Sequence, residues 1–204
     1  MSETIKEENQ NSPEHAASVL KRGGIIIYPT ETLYGLGANA LNEQSVRNVF
    51  ISKGRPAGNP IPILVKNEAM LREVGEVTEL ASKLIDRFLP GPLTIVLNEK
   101  RKFPALLTAG TGKVAIRISN HPFVVRLFNL ISNPMTSSSA NVSGQDNIFD
   151  FNSIYNTFNS KVDLIIDSGT LHKSKGSTVV DLTVSPPLLI REGDISRNLL
   201  EEFL

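Results

Sequence analysis

The feature that most constrains the fold is an alternation of short apolar runs with stretches of helical periodicity. The runs "IIIYP" at residues 25–29 and "LTIVL" at residues 93–97 are rich in β-branched residues and are flanked by glycine or proline, as buried strands are. Between them, "TELASKLIDRFL" at residues 78–89 repeats apolar side chains at the three- and four-residue spacing of one helix face. Strands that alternate with helices predict an α/β domain with a mostly parallel or mixed sheet.

The same alternation continues along the rest of the chain, without an internal repeat or a low-complexity stretch. Further strands are predicted at residues 61–65, 114–118, 163–167, 177–182 and 188–192. Two further helices are predicted to begin at Ser12 and Asn42, and three more at residues 121–131, 150–158 and 194–204. A chain of 204 residues suits one domain. We therefore expect a flexible N-terminal tail at residues 1–11 and a single domain at residues 12–204.

Composition excludes several classes of site. The chain has no cysteine, so it has neither disulfides nor thiolate zinc ligands. Its three histidines, His15, His121 and His172, have no metal-ligand spacing, and we expect no dedicated transition-metal site. The 21 basic and 21 acidic residues give a formal net charge of zero, so a polyanion has to be bound by a local cluster rather than by the field of the whole molecule.

The amino-terminal sequence does not indicate export. "MSETIKEENQNS" is polar and acidic, without the apolar core of a signal peptide. No apolar run approaches the roughly 20 residues that a membrane-spanning helix needs. We therefore expect a soluble, cytoplasmic protein with no membrane partner.

Three familiar nucleotide or hydrolase motifs fail. "TAGTGKVA" at residues 108–115 lacks the first glycine of a Walker A loop, where Leu107 stands, and has Val114 after the lysine. "YGLGANA" lacks the third glycine of the dinucleotide fingerprint. The chain has no G-x-S-x-G sequence and no histidine near its serine-rich run, which argues against a hydrolase triad.

Two loops carry residues suited to a ligand. "YPTETLYGLG" follows a buried strand, the position at which α/β proteins place ligands, and supplies the hydroxyls of Thr30 and Thr32. "SKGRPAGNP" holds Lys53 and Arg55 in an irregular stretch, where both cations can converge on one anion. Each segment alone is also compatible with an ordinary glycine-containing bend or a solvated basic turn.

Arginines within apolar strands and a run of serines add to this pattern. Arg117 lies in "AIRIS" and Arg191 ends "LLIRE", and an arginine in such a run needs either a protein carboxylate or a ligand carboxylate or phosphate. "MTSSSANVSG" at residues 135–144 places five hydroxyls and an amide beside a glycine. Two strand arginines beside two hydroxyl-rich loops favour an anion site.

Six of these segments, in order, closely resemble the YrdC-like family of threonylcarbamoyl-AMP synthases. They are "GGIIIYPTETLYGLGANA", "SKGRPAGNPIPILV", "PGPLTIVL", "AIRISNHP", "SSSANVSG" and "STVVDLT", and the resemblance covers roughly residues 13–195. It implies a twisted open mixed or parallel sheet flanked by helices, with a concave, positively lined cavity. The family's K-x-R and S-x-N tetrad falls on Lys53, Arg55, Ser139 and Asn141.

The resemblance also implies a reaction. L-threonine, bicarbonate or CO2, and ATP with Mg2+ would give threonylcarbamoyl-AMP and pyrophosphate, the first step of N6-threonylcarbamoyladenosine formation at position 37 of tRNA. A downstream complex would transfer the group to tRNA, with which this protein itself would make at most a weak contact. The implied catalytic residues are the four residues of the tetrad. The implied threonine pocket contains Thr30, Arg117, Ser137 and Ser177. The residues implied to contact ATP are Lys53, Arg55, Ser139, Asn141, Asn147 and Arg191. Leu33 and Tyr34 would wall the pocket.

Two further features bear on this resemblance. The chain resembles the short, single-domain members rather than those with a linker and a second domain. Leu64 stands where many members have a histidine near the threonine pocket, so the resemblance does not specify how this loop contacts threonine.

Three alternatives are weighed against the synthase. A non-enzymatic RNA-binding module of the same fold is disfavoured by the zero net charge and the scarcity of aromatic residues. An inactive paralogue is disfavoured by the intact tetrad. A carbamoyl-transfer domain of a hydrogenase-maturation enzyme would need fused domains.

Overall fold

The computed structural model describes residues 1–203, and within them the chain forms two mixed β-sheets and eight helices. The strands are β1 Glu3–Lys6, β2 Ile26–Tyr28, β3 Gly35–Gly37, β4 Ile63–Leu64, β5 Leu93–Asn98, β6 Lys113–Arg117, β7 Met135–Thr136, β8 Ser138–Ser139, β9 Leu164–Asp167, β10 Thr178–Asp181 and β11 Leu188–Arg191. The helices are α1 Ser12–Lys21, α2 Glu43–Lys53, α3 Glu68–Val74, α4 Glu79–Phe88, α5 Ala105–Thr108, α6 Pro122–Phe128, α7 Phe151–Phe158 and α8 Arg197–Glu201.

The predicted α/β class and the mixed pairing are confirmed, but the strands divide between two sheets instead of forming one. The first sheet has the order β1-β9-β2-β3-β8, and the second has the order β11-β10-β5-β6-β4-β7. Parallel pairs such as β2 with β9 lie beside antiparallel pairs such as β2 with β3. The division follows from long-range pairing, which the local sequence pattern does not specify.

The chain crosses from one sheet to the other inside the serine-rich run. β7 pairs with β4 in the second sheet, and β8 pairs with β3 in the first sheet. Ser137 lies between the two strands and donates its backbone N–H to the carbonyl of Pro62 at 2.7 Å. The segment expected to be a loop is therefore a crossover that joins the two sheets, and its serines lie at the junction.

The N-terminal residues differ from the flexible tail predicted at residues 1–11. Glu3–Lys6 form β1, which pairs in parallel with β9, and the hydroxyl of Ser2 donates to the carbonyl of Val162 at 2.6 Å. The sequence signal failed here because "ETIK" is a polar edge strand, whose order comes from its partner rather than from its own apolar residues.

Helix boundaries follow the capping residues closely. The side chains of Asn42, Asn67 and Thr78 accept from backbone N–H groups in the first turns of α2, α3 and α4, as the sequence predicted for Asn42 and Thr78. α1 starts one residue earlier than expected, because Asn11 rather than the predicted Ser12 is its N-cap. The helix predicted at residues 194–204 spans Arg197–Glu201, and Leu204 lies outside the described residues.

A close contact between β2 and β3 explains a strand that the sequence did not indicate. The ring of fully buried Tyr28 lies against the backbone of β3, and a Cβ on Gly35 would lie 2.6 Å from its Cζ. Glycine lets the two strands pair around a large aromatic side chain, although its intrinsic strand propensity is low. β3 then presents Gly35 and the preceding Tyr34 to the space between the sheets.

None of the helices within residues 1–203 combines the length and the apolar character that crossing a bilayer demands.

Candidate anion-binding site

A cavity opens where the first sheet meets one edge of the second sheet. Thr94 is the second residue of β5, Ser177 precedes β10, and Arg117 and Arg191 end β6 and β11, so all four lie at the same end of the second sheet. The β3–β8 pair forms the opposite wall. The complete lining is Thr30, Thr32, Leu33, Tyr34, Gly35, Arg55, Pro62, Thr94, Arg117, Ser137, Ser138, Ser139, Ser177 and Arg191.

Arg117 is buried and is fixed by three protein acceptors. Its Nε donates to the carbonyl of Gly91 at 3.1 Å, and its Nη1 donates to the hydroxyl of Thr32 at 2.9 Å. Its Nη2 lies 2.7 Å from Oε1 of Glu31 in a contact that is electrostatic rather than a well-directed hydrogen bond. A guanidinium has five N–H donors, so one donor remains on Nη1, whereas Nη2 is buried against Glu31 without a hydrogen-bond partner. The remaining Nη1 donor and the positive charge suit an anion.

Ser177 and Arg191 form a second polar group at this edge. Arg191 donates from Nε and Nη2 to the Ser177 carbonyl at 3.2 and 2.7 Å, and from Nη2 to its hydroxyl at 3.2 Å. The Thr94 hydroxyl donates to the Ser177 hydroxyl at 2.8 Å. The hydroxyl of Ser177 is therefore held between a cation and a second hydroxyl.

Lys53 ends α2 and lies behind the serine crossover, not in the loop that the sequence predicted. Its Nζ is 3.0 Å from Oδ1 of Asn141 and 3.2 Å from the hydroxyl of Ser139, and it also contacts the Ser139 carbonyl. The side chain is buried and does not line the cavity. Burial, with the nearby charges of Arg55 and Arg191, lowers the pKa of Lys53 to about 7.

The two residues of the S-x-N pair are joined to each other. The hydroxyl of Ser139 donates to Oδ1 of Asn141 at 2.6 Å, and Nδ2 of Asn141 donates to the carbonyl of Gln145 at 2.6 Å. Asn141 thereby orders the turn that follows β8. Ser139 lines the cavity, whereas Asn141 supports it from behind.

Arg55 enters the cavity from the loop after α2. Gly54 adopts the left-handed conformation that ends the helix and turns the chain. Nε and Nη2 of Arg55 then donate to the carbonyls of Asn59 and Pro60 at 2.9 and 2.8 Å. Burial lowers the pKa values of Arg55 and Arg191, with a further contribution from Arg117 at Arg191.

The wall formed by the "YPTETLYGLG" segment is rigid. The hydroxyl of Thr30 donates to the Leu33 carbonyl at 2.6 Å and accepts from the Leu33 N–H at 3.1 Å, closing a local turn. Tyr34 donates to the carbonyl of Gly169 at 2.9 Å, and burial raises its pKa to about 12. Tyr34 is therefore a neutral donor and a fixed wall.

Most of the predicted site residues meet at this cavity. Thr30, Arg55, Arg117, Ser137, Ser139, Ser177 and Arg191 line it, as do the predicted wall residues Leu33 and Tyr34. Lys53 and Asn141 lie directly behind Ser139. Asn147 is exposed and does not belong to the lining, and its contact with ATP stays a prediction.

Sequence reasoning missed two residues that contribute to the site. Thr94 is the only hydroxyl in the apolar run "LTIVL", and that contrast was a usable signal. Glu31 contacts Arg117, but nothing local distinguishes it from a solvent-facing loop carboxylate.

The cavity is suited to anions. Three guanidinium groups and several hydroxyls line it, and none of its lining residues among those described carries a carboxylate. Within residues 1–203, no group of three or more histidine or acidic side chains is arranged to bind a metal ion. The arrangement can hold several negative groups close together.

The fold and this cavity define a class: an α/β protein with a cavity suited to anionic ligands between two mixed sheets. The family model Sua5/YciO/YrdC, described as "Telomere recombination", matches residues 18–193. The chain belongs to this family.

Several relatives are similar along almost the whole chain. A threonylcarbamoyl-AMP synthase of Pyrococcus abyssi is 38% identical over 190 residues, which are 93% of this chain and 56% of that protein. A putative threonylcarbamoyl-AMP synthase of Methanocaldococcus jannaschii is 37% identical over 95% of this chain and 91% of its own length. The chain thus spans little more than half of the Pyrococcus relative.

Solved structures agree with the fold. The crystal structure of P. abyssi Sua5 complexed with L-threonine matches with a TM-score of 0.93 and 36% identity, over 100% of this chain and 61% of that chain. The crystal structure of Escherichia coli YciO matches with a TM-score of 0.86 and 26% identity, over 95% of this chain and 96% of that one.

Proposed function

We propose that this protein is a nucleotidyltransferase that makes threonylcarbamoyl-AMP and pyrophosphate from L-threonine, bicarbonate or CO2, and ATP. The observation that carries the proposal is the convergence of Arg55, Arg117 and Arg191 on one hydroxyl-lined cavity. The names of the relatives and the L-threonine complex of P. abyssi Sua5 support the same reaction.

L-threonine would bind at the Arg117 end of the cavity. Arg117 lines the cavity and has an unused N–H donor on Nη1, which together with the positive charge would bind the substrate carboxylate. Ser137 and Ser177 would bind the amine and the side-chain hydroxyl. Thr30 would shape the pocket rather than donate, because the Leu33 carbonyl already accepts from its hydroxyl.

ATP would lie along the side that carries Arg55, Ser139 and Arg191. Their donors would hold the phosphates, with Lys53 and Asn141 fixing Ser139 from behind. An anionic phosphate would also favour the protonated form of Lys53. Mg2+ would arrive with ATP, bound mainly by phosphate oxygens and water, since the described lining offers hydroxyls and cations.

The reaction then proceeds in two steps. The neutral amine of threonine attacks the carbon of CO2 and releases a proton to solvent, giving an N-carboxylate; with bicarbonate, the amine proton and the displaced hydroxide leave together as water. One oxygen of this carboxylate attacks the α-phosphorus of ATP, and the bond to pyrophosphate breaks. Three anionic groups must approach one another, so fixed positive charges and positioning would supply most of the acceleration.

The product is a reactive mixed anhydride, and a downstream complex would consume it by transferring the threonylcarbamoyl group to adenosine 37 of tRNA. This step, a weak direct contact with tRNA and a cytoplasmic location belong to the proposal.

The test is pyrophosphate release from ATP, measured with and without L-threonine and bicarbonate. We expect release only when all three substrates are present. Pyrophosphate release that does not depend on L-threonine would contradict the proposal. RNA binding with a steep salt dependence and no threonine-dependent turnover would instead support an RNA-binding module.

A further inference from the structure

Glu31 is a largely buried carboxylate that contacts Arg117 without lining the cavity. Its Oε1 lies 2.7 Å from Nη2 of Arg117, and the two side chains are only 18% and 7% exposed. Its other oxygen accepts a hydrogen bond from the Ser119 hydroxyl, which in turn accepts from the backbone N–H of His121 at 3.2 Å. Glu31 is therefore fixed from the side away from Arg117.

The contact determines which way the guanidinium faces. Gly91, Thr32 and Glu31 each hold a different nitrogen of Arg117, and Glu31 is the charged member of the three. A buried cation without a compensating charge is costly and would move toward solvent. Because Glu31 is absent from the cavity lining, it balances the charge from behind and leaves the cavity side of the guanidinium open.

We infer that Glu31 is a positioning residue for Arg117: it holds the Nη2 edge of the guanidinium so that the group keeps its place in the cavity wall. The part of this inference that concerns L-threonine rests on the proposed function. The part that concerns the geometry of Arg117 does not.

The first measurement needs no substrate. The Nε–H of Arg117, which donates to the Gly91 carbonyl, gives an NMR signal that an Arg117→Lys variant identifies. We expect hydrogen exchange of this group to become on the order of tenfold faster in Glu31→Gln, because a neutral acceptor holds a guanidinium less well than a carboxylate does. Unchanged exchange would overturn the inference.

The second measurement is L-threonine binding by calorimetry, followed by steady-state kinetics. In Glu31→Gln we expect Kd and KM for L-threonine to rise on the order of tenfold, with KM for ATP and kcat at saturating threonine within about twofold of the wild type. Glu31→Asp keeps the charge but is one methylene shorter, and we expect a similar loss. A general loss of stability would instead change all of these constants.

Glu99→Gln is the matched control. Glu99 is also a buried carboxylate, 9% exposed and paired with Lys102, but it follows the far end of β5. We expect Glu99→Gln to leave both the hydrogen exchange of the Arg117 Nε–H and the binding of L-threonine unchanged. If Glu31→Gln does not fold, Ser119→Ala tests the same link by removing the other hydrogen bond of Glu31, with a smaller loss in the same direction.

The outcomes separate the two proposals. If Arg117 exchanges faster in Glu31→Gln but the wild type does not bind L-threonine, the proposed function is wrong and the positioning role of Glu31 still holds. Tighter threonine binding in Glu31→Gln would show that Glu31 competes with the ligand carboxylate, and would overturn the positioning role.

Discussion

Nζ of Lys53 lies 3.0 Å from Oδ1 of Asn141, a residue 88 positions further along the chain. This contact ties the last residue of α2 to the turn that follows the serine crossover. Within residues 1–203 no carboxylate forms an ion pair with Lys53, and its partners are neutral oxygens. A buried cation held in this way is poorly compensated, which is the state that an arriving phosphate would improve.

Replacing Lys53 with methionine tests this role at nearly constant volume. We expect threonine-dependent pyrophosphate release to fall by on the order of 100-fold, because both a positive charge and the support of Ser139 are lost. Lys83→Met, at an exposed lysine of α4, is the control and should behave as the wild type. Near-normal pyrophosphate release by Lys53→Met would remove this residue from the mechanism.

The lowered pKa of Lys53 makes a second prediction, about stability. The folded protein binds this proton only below about pH 7, whereas the unfolded chain binds it up to about pH 10.5. The unfolded state therefore holds more protons between these values, and the stability contribution of Lys53 rises with pH across this window and is lost as pH falls toward 7.

Denaturant unfolding at several pH values measures this effect. We expect the free energy of unfolding of the wild type, relative to Lys53→Met, to increase by about 1 kcal/mol per pH unit between pH 7.5 and 9.5. Parallel pH profiles for the two proteins would mean that Lys53 titrates normally when folded.

Arg117→Lys tests the carboxylate clamp while keeping a charge beside Glu31. Alanine is a poorer choice, because it would leave the buried carboxylate of Glu31 unpaired at a cost of about 3–5 kcal/mol. Lysine lacks the planar fork, and we expect L-threonine affinity to fall by roughly 10- to 100-fold with ATP affinity retained. If calorimetry finds unchanged L-threonine affinity, the assignment of Arg117 to the substrate carboxylate is wrong.

The sequence predicted most of the strands and helices and most of the site residues, but not how the two sheets are joined. Strands such as β5 and helices such as α4 were predictable because periodicity and capping are local properties. β1 and β3 were not, since the first is polar and the second is "GLG"; both are ordered by their partners. The serines of the crossover were recognised as candidates, whereas their position between two sheets depends on pairings with β3 and β4.

The placement of Lys53 and Glu31 shows the same limit at the level of side chains. The sequence placed Lys53 beside Arg55 as a direct phosphate ligand, but α2 continues through Lys53 and turns it behind Ser139. Glu31 is adjacent to recognised residues, and its role depends on a strand more than 80 positions away. Residue types predicted the chemistry, and only tertiary packing separates residues that line the cavity from those that support it.

Gly193 provides a test of how the Arg191 edge of the site is built. It follows β11 and packs on the segment that contains Ser177: a Cβ at Gly193 would lie 2.2 Å from the Gly176 carbonyl oxygen and 2.5 Å from the Ser177 carbonyl carbon. These are backbone atoms, so the clash cannot be relieved by a side-chain rotation. Gly193→Ala should therefore separate Ser177 from Arg191, which now meet at 2.7 Å.

We expect Gly193→Ala to lower the free energy of unfolding by about 1–3 kcal/mol and to reduce pyrophosphate release, because overpacking displaces the backbone that orients Arg191. Gly58→Ala is the stability control, since a Cβ there meets no atom within 4 Å. Denaturant midpoints compared at equal slope give the difference. If both variants unfold at the wild-type midpoint, the Gly193 contact does not constrain this edge, and the link between its packing and the position of Arg191 is wrong.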